Sequence, residues 1–345
     1  MVSTRGIIRS MSRGPLSLLW FVLASGSPGG GGVPANYVYF GQDRQALRDE
    51  ASLDSRVFAG AQVAYTWKSL EPQPDRYDFS AVEADLAYLS AKGKRLFVQV
   101  QDVTFYEQYV SVPDYLRTPA FGGGADRQYE FADDRDGRPK PAGWVARRWD
   151  PRVAERFHRL LAALGNAFDG KVAGVNLPET AVDFGSTGKY FPEGFTPEVY
   201  ARAVLANMKA AKAAFPKSVV IQYANFMPGE WLPLDDKGYL KSVFAYGASI
   251  GVGLGGPDVL VWRKSQMAHS YALLPGLYGR VPTGIAVQDG NYSVVNPRTK
   301  RQVTIDEIYH FAADHIHVDY LFWCTQEPFF KRDVVPYLQG LSERK

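Results

Sequence analysis

Asp169-Gly170-Lys171-Val172-Ala173-Gly174-Val175-Asn176-Leu177-Pro178-Glu179-Thr180 reads as a helix stop, a short apolar strand, and a carboxyl placed at the strand's end. The Asp-Gly pair closes a helix predicted over Pro151–Phe168, because glycine accepts the left-handed backbone that ends helices. Val172–Leu177 is a brief apolar run of the kind that marks a strand buried on both faces. A strand of that sort belongs in a parallel sheet with helices on its outside.

The same unit recurs on either side. Upstream, strands are predicted at Tyr37–Phe40, Ala61–Tyr65 and Leu96–Val100. Between the last two lies a helix over Ala81–Ala91, with Val82, Leu86 and Leu89 at helical spacing and Lys92-Gly93-Lys94 as its stop. Downstream, an Ala-rich helix over Pro197–Ala214 ends at Pro216, and strands follow at Val219–Tyr223, Ser249–Leu254, Gly284–Val287 and Val318–Trp323. That makes Val172–Leu177 the fourth of eight, the number that closes a (β/α)8 barrel. A doubly wound open sheet would want a Gly-rich phosphate loop after its first strand, and none is there. Thr104–Trp149 is a long excursion rich in Gly, Asp, Pro and aromatics, the kind of loop that usually carries function.

Composition narrows the function. Hydrophobic residues make up 46% of the 345 and charged residues 22%, as in ordinary globular chains, so a core forms without disulfides. The net charge of +3, with basic residues scattered, argues against a nucleic-acid partner. Cys324 is the only cysteine, which excludes an internal disulfide and a cysteine-based zinc cluster. Of five histidines only His315 and His317 are neighbours, at a strand start, so no metal or other cofactor is expected. Arg5, Arg9 and Arg13 precede the apolar run Leu16–Ala24, then small residues and a Pro/Gly stretch to Pro34. That order predicts a secretory signal over residues 1–34, a secreted or periplasmic protein, and one barrel domain over 35–345. The apolar run is too short for a stable membrane span.

In such a barrel, functional groups sit at the C-terminal ends of the strands. Carboxyls there suit glycoside cleavage, which commonly uses one proton donor and one nucleophile or base. Glu179 is the first choice for the donor, since apolar surroundings would keep its carboxyl protonated. The second carboxyl is open between Asp289 after the seventh strand, Glu327 after the eighth and Asp258 after the sixth, with Asp289 favoured. By the same strand-end logic Gln62, Tyr65, Trp67, Gln101, Asp102, Asn176, Gln222, Tyr223, Asn225, Asp258, Gln288, Tyr292 and Trp323 are candidates for binding a carbohydrate substrate. Amides and carboxylates among them would bond sugar hydroxyls, and Trp67, Tyr292 and Trp323 would stack on ring faces. Glu71 lies beyond the strand, in a turn before Pro72, and reads as structural.

Gly60-Ala61-Gln62-Val63-Ala64-Tyr65-Thr66-Trp67-Lys68-Ser69-Leu70-Glu71-Pro72, followed by Tyr77-Asp78-Phe79-Ser80, resembles the second-strand motif of clan A glycoside hydrolases, including family 5 and barrel β-galactosidases. The likeness runs on through Leu96–Val100, Trp149-Asp150-Pro151, the Glu179 segment and Trp323. It implies a (β/α)8 fold, Glu179 as acid/base, a nucleophile after strand seven, retention of anomeric configuration, and Trp323 as the floor of the first sugar subsite. Two departures stand out. Pro178 occupies the place directly before the acid/base where the clan has Asn, with Asn176 three positions back, and Gln288-Asp289 stands where the clan has a Glu nucleophile.

Three readings follow: a hydrolase of β-linked oligo- or polysaccharides, a carbohydrate-binding protein on a barrel that has lost catalysis, and a barrel enzyme of other chemistry. The paired strand-end carboxyls favour the first. The two departures would favour the second, and the third would need clustered His and carboxylate ligands that the sequence does not display.

Overall fold

The apolar runs close into a barrel because each strand finds a parallel partner on both sides. The computed structural model describes residues 33–131 and 139–344. The expected leader therefore lies outside the described residues, apart from its last two positions. The strands are β1 (Ala35–Tyr39), β2 (Phe58–Thr66), β3 (Arg95–Gln101), β4 (Val103–Thr104), β5 (Ala125–Glu130), β6 (Lys140–Ala146), β7 (Gly174–Leu177), β8 (Val219–Tyr223), β9 (Gly253–Gly256), β10 (Thr283–Val287) and β11 (Tyr320–Cys324). Eight of them form a closed barrel in the order β1-β11-β10-β9-β8-β7-β3-β2, with every pairing parallel. β4, β6 and β5 form a separate antiparallel sheet. That small sheet is the regular part of the Thr104–Trp149 excursion, and it leaves the barrel directly after β3.

The helices predicted at Pro151–Phe168 and Pro197–Ala214 appear with those bounds. Local chemistry explains why. Asp150 accepts a bond from the Arg152 amide and Thr196 from the Val199 amide, and each cap is followed by a proline at the first helical turn.

The sixth strand is displaced from its expected place. Ser249 and Ile250 end the helix Tyr239–Ile250, Gly251 caps it in the left-handed region at φ 74°, and the strand is Gly253–Gly256. Apolar residues at the end of a helix read like the start of a strand, and a strand with three glycines among four residues carries little strand signal. Two of those glycines, Gly253 and Gly255, answer a steric demand. A Cβ on Gly255 would lie 1.6 Å from the Gly284 carbonyl oxygen, so β9 and β10 approach too closely for any side chain there. The first and last strands sit one or two residues from their expected bounds, within ordinary boundary error.

Two cores result. Inside the barrel, Tyr37, Phe97, Ile221, Ala286 and Phe322 fill the lumen, with Tyr37 edge-on to Phe97 at 5.0 Å and Phe97 to Phe322 at 5.1 Å. The larger core lies between strands and helices and includes Val63, Val98, Val175, Leu177, Val287 and Trp323. With the lumen plugged from below, only the C-terminal mouth is available for a ligand.

Candidate active site

Glu179 follows β7 by two residues and is held by its backbone before its side chain does anything. Its carbonyl accepts from Arg148 Nη1 at 2.8 Å. The next residue, Thr180, donates its amide to the Tyr223 carbonyl at 3.0 Å and its hydroxyl to the Phe226 carbonyl at 2.7 Å. Arg148 is itself fixed by two bonds to Asp102, at 2.8 and 2.5 Å, and by one to the Tyr200 hydroxyl at 2.5 Å. Both members of the Arg148–Asp102 pair are buried. This pair ties the end of β3 to the segment after β7 and sets the height of Glu179 at the mouth.

The Glu179 carboxyl is half-buried and accepts one bond, from Asn225 Nδ2 at 2.7 Å. Burial pushes its pKa up to about 7, and the charge of Asp258 pushes the same way. The Asn225 bond and the Arg148 charge oppose the rise without cancelling it. A carboxyl with that pKa is about half protonated at neutral pH, where an ordinary glutamate is ionised, so it can serve as a general acid.

Two further carboxyls share the mouth. Asp258 follows β9, is half-buried, and accepts from Asn291 Nδ2 at 3.0 Å. Burial raises its pKa against the lowering effect of that bond. Asn291 also takes the Gln288 amide at 3.1 Å, which joins the ends of β9 and β10. Asp289 is solvent-exposed beside Cys324, whose thiol is pushed up to about 12, by burial first and with Asp289 contributing. The Tyr39 phenol, at the end of β1, is raised by burial and then by Cys324, Glu179 and Asp289. Tyr39 therefore lies within electrostatic reach of both Glu179 and Asp289, which brings the two carboxyls to one rim.

Glu327 goes elsewhere. Its side chain is 53% exposed and pairs with Lys331 at 3.3 Å, an i,i+4 contact after the last strand. That pairing holds the carboxyl toward the surface.

Several expected sugar contacts are likewise corrected by burial. Tyr65 turns outward and donates to Asp85 at 2.7 Å. Trp67 is 0% exposed, packs edge-on to Phe157 at 5.1 Å and donates to Glu71 at 2.8 Å. Glu71 in turn pairs with Arg156, so it is structural, as its position in a turn suggests. Trp323 also has no exposed face, belongs to the helix-side core, and donates to Asn36 at 2.8 Å. Tyr292 is buried, stacks on Phe329 and donates to the Cys324 carbonyl at 2.9 Å. None of these rings offers a surface to a sugar.

Gln62, Asn176 and Tyr223 form a buried polar layer beneath the mouth, with Gln62 Nε2 donating to Asn176 Oδ1 at 3.0 Å and to the Tyr223 hydroxyl at 2.9 Å. Gln222 is buried too, and its amide bonds the carbonyls of Pro178 and Tyr223. These residues shape the floor. Asp102 is committed to Arg148. At the rim remain Asn225, Gln288 and Gln101, the last accepting from Gln42 at 3.0 Å. His315 packs at a tilt against Trp262 at 4.4 Å and His317 against Tyr278 at 5.0 Å. Among the described residues no group of three or more His, Cys, Asp or Glu could hold a metal ion, and no helix is long and apolar enough to cross a membrane.

Arg148, Tyr200 and Tyr39 escaped the sequence reading. Tyr39 could have been found, since it ends the first strand. Arg148 and Tyr200 carry no local signal, because an arginine before a helix and a tyrosine within one are ordinary.

Solved structures share this architecture. One is the exo-β-1,4-mannosidase Op5Man5 from Opitutaceae bacterium strain TAV5, at 14% identity and TM-score 0.46, covering 90% of this chain and 60% of that one. Another is a GH5_18 protein from Streptomyces cattleya solved with Manβ1-4GlcNAc, at 18% identity and TM-score 0.50, covering 84% of this chain and 70% of that one. The likeness is one of fold. This chain spans well under the full length of either neighbour. No family model and no curated sequence matches it.

Proposed function

We propose that this protein is a glycoside hydrolase acting on a β-linked oligo- or polysaccharide, with Glu179 as proton donor. The observation that carries the reading is a half-buried carboxyl just past the fourth barrel strand, its pKa raised by burial, with Asp258 and Asp289 after neighbouring strands of the same mouth. Glu179 would protonate the glycosidic oxygen as the bond to the leaving group breaks. Asp289 would attack the anomeric carbon or activate water there, and retention is the outcome that resemblance to clan A suggests. The named mannosidase and the mannoside-bound neighbour make β-mannosides a sensible first substrate class to test.

A second assignment has its own support. Asp258, not Asp289, is the carboxylate whose charge acts on Glu179. That favours Asp258 as the partner carboxyl. A leader directing the protein to the periplasm or outside the cell is part of the same proposal and fits an enzyme of extracellular glycans.

The test is a panel of β-1,4-mannan, β-1,4-glucan, β-1,4-xylan and β-1,3-glucan, together with the matching nitrophenyl β-glycosides, assayed for reducing ends. Turnover by the parent protein, lost by about 10³-fold in Glu179→Gln, is the expected result. Azide should restore turnover to Asp289→Ala as a glycosyl azide of inverted configuration. Rescue of Asp258→Ala alone would move the role to Asp258. A folded Glu179→Gln protein that turns over like the parent would remove Glu179 from the chemistry.

A further inference from the structure

A cavity of about 480 Å³ lies between the segments that follow β8, β9 and β10, and Glu179, Asp258 and Asp289 have no part in it. Its apolar walls are Leu232 from the first segment, Leu260 and Val261 from the second, and Val294, Val295 and Pro297 from the third. Val295 is 60% exposed. No carboxylate and no side-chain amide lines the cavity. Sugar recognition needs several placed hydrogen-bonding groups, and these walls supply almost none. At the rim stand Arg263 and Lys264, both exposed and neither with an ion-pair partner among the described residues.

The three walls are fixed to one another by contacts that need no occupant. The buried His269 accepts the Leu232 amide on Nε2 at 2.9 Å and faces the Ser265 carbonyl with Nδ1 at 2.7 Å. Its proton therefore sits on Nδ1, and the first wall is tied to the second. The same ring packs against Trp231 and Phe226, at 4.8 and 4.7 Å, which steadies the segment after β8. The third wall is a hairpin, closed by the Asn296 amide on the Arg301 carbonyl at 2.8 Å and the Val303 amide on the Val294 carbonyl at 3.0 Å. Trp262 joins the second wall to the third. Its φ of 58° is a left-handed backbone, strained for a residue with so large a side chain. The ring is anchored by Arg298 from the hairpin, 3.2 Å from its centre, and by Phe311 at 4.9 Å. That anchored turn holds Val261 and Arg263, the residues on either side of Trp262, on the cavity wall.

We infer that this cavity binds a single-chain amphiphilic anion, an alkyl tail ending in a carboxylate, with the tail against Leu232, Val261 and Val295 and the head at Arg263 and Lys264. Apolar walls left open to water are costly, and an alkyl tail that covers them recovers that cost. Two cations without partners at the rim select an anionic head over a neutral one. The preformed walls spare the ordering that a mobile site would require on binding. The volume falls in the range of roughly 300–1,000 Å³ that small-molecule sites occupy. The site is separate from the proposed chemistry.

The test is calorimetric titration of the full chain with sodium hexanoate, octanoate and decanoate and with 1-octanol, each kept below the concentration at which it aggregates. One site per chain is expected, with affinity rising about fourfold for each added methylene. Octanoate should bind about tenfold more tightly than 1-octanol. Arg263→Gln combined with Lys264→Gln should bring octanoate down to the affinity of 1-octanol and leave 1-octanol unchanged. Val295→Asp, at an exposed position, should weaken 1-octanol as well as octanoate, with circular dichroism confirming the fold of each variant. Affinity that ignores tail length, 1-octanol bound as tightly as octanoate, or octanoate unmoved by these substitutions overturns the inference. None of these readouts requires cleavage, so the outcome is independent of the hydrolase reading.

Discussion

Replacing Glu179 by glutamine should make the protein more stable as well as inactive, and only in one range of pH. The folded carboxyl holds its proton up to about pH 7, against 4.5 for an ordinary glutamate. Below 4.5 both folded and unfolded chains carry the proton, and the group costs nothing. As pH rises from 4.5 to about 7, the unfolded chain releases its proton while the folded chain keeps it, so folding grows less favourable. At about 1.4 kcal/mol per pH unit the full cost is about 3.5 kcal/mol, reached above pH 7. Glutamine has the same shape and never ionises, so it escapes this cost. With an unfolding entropy of about 2 cal/mol/K per residue, a chain of this size should gain about 4–5 °C in Tm at pH 8 and almost nothing at pH 4.5. Scanning calorimetry of both proteins across that range checks the claim. A Tm difference that does not vary with pH would refute the burial argument, and with it the physical basis for Glu179 as the acid.

Other perturbations follow from the same geometry. Asn225→Ala removes the bond that lowers the Glu179 pKa, so the alkaline limb of the pH–rate profile should move upward from about 7; a downward move would contradict the geometry. Asp102→Asn leaves the buried Arg148 charge without its partner and should destabilise the fold by about 3–5 kcal/mol, read by denaturant unfolding. Gly255→Ala drives a methyl into the Gly284 carbonyl and should prevent soluble expression or lower Tm sharply; a protein of parental stability would mean that β9 and β10 are farther apart than described.

The resemblance of the second-strand motif and the count of apolar runs converge on one architecture, and the helix caps explain why two helices match their expected bounds to the residue. The weak point was β9. Its glycines suppress the periodic signal, yet at Gly253 and Gly255 the neighbouring backbone leaves no room for a Cβ. Strand-end residues were legible as a set and illegible one by one. Tyr65 and Trp323 sit where sugar contacts belong, but each points to the helix side of its strand, while Phe322, next to Trp323, falls on the lumen side.

Sequence alone determined that a carboxyl ends the fourth strand of an eight-stranded barrel, because strand length, helix caps and turn residues are local properties. It could not determine which way each neighbouring side chain faces. Strands buried on both faces are apolar throughout and lose the alternation that would reveal it. Nor could it join Arg148 to Asp102, 46 residues away, or set Trp231 beside Phe226 and His269. Those contacts exist only once the barrel closes.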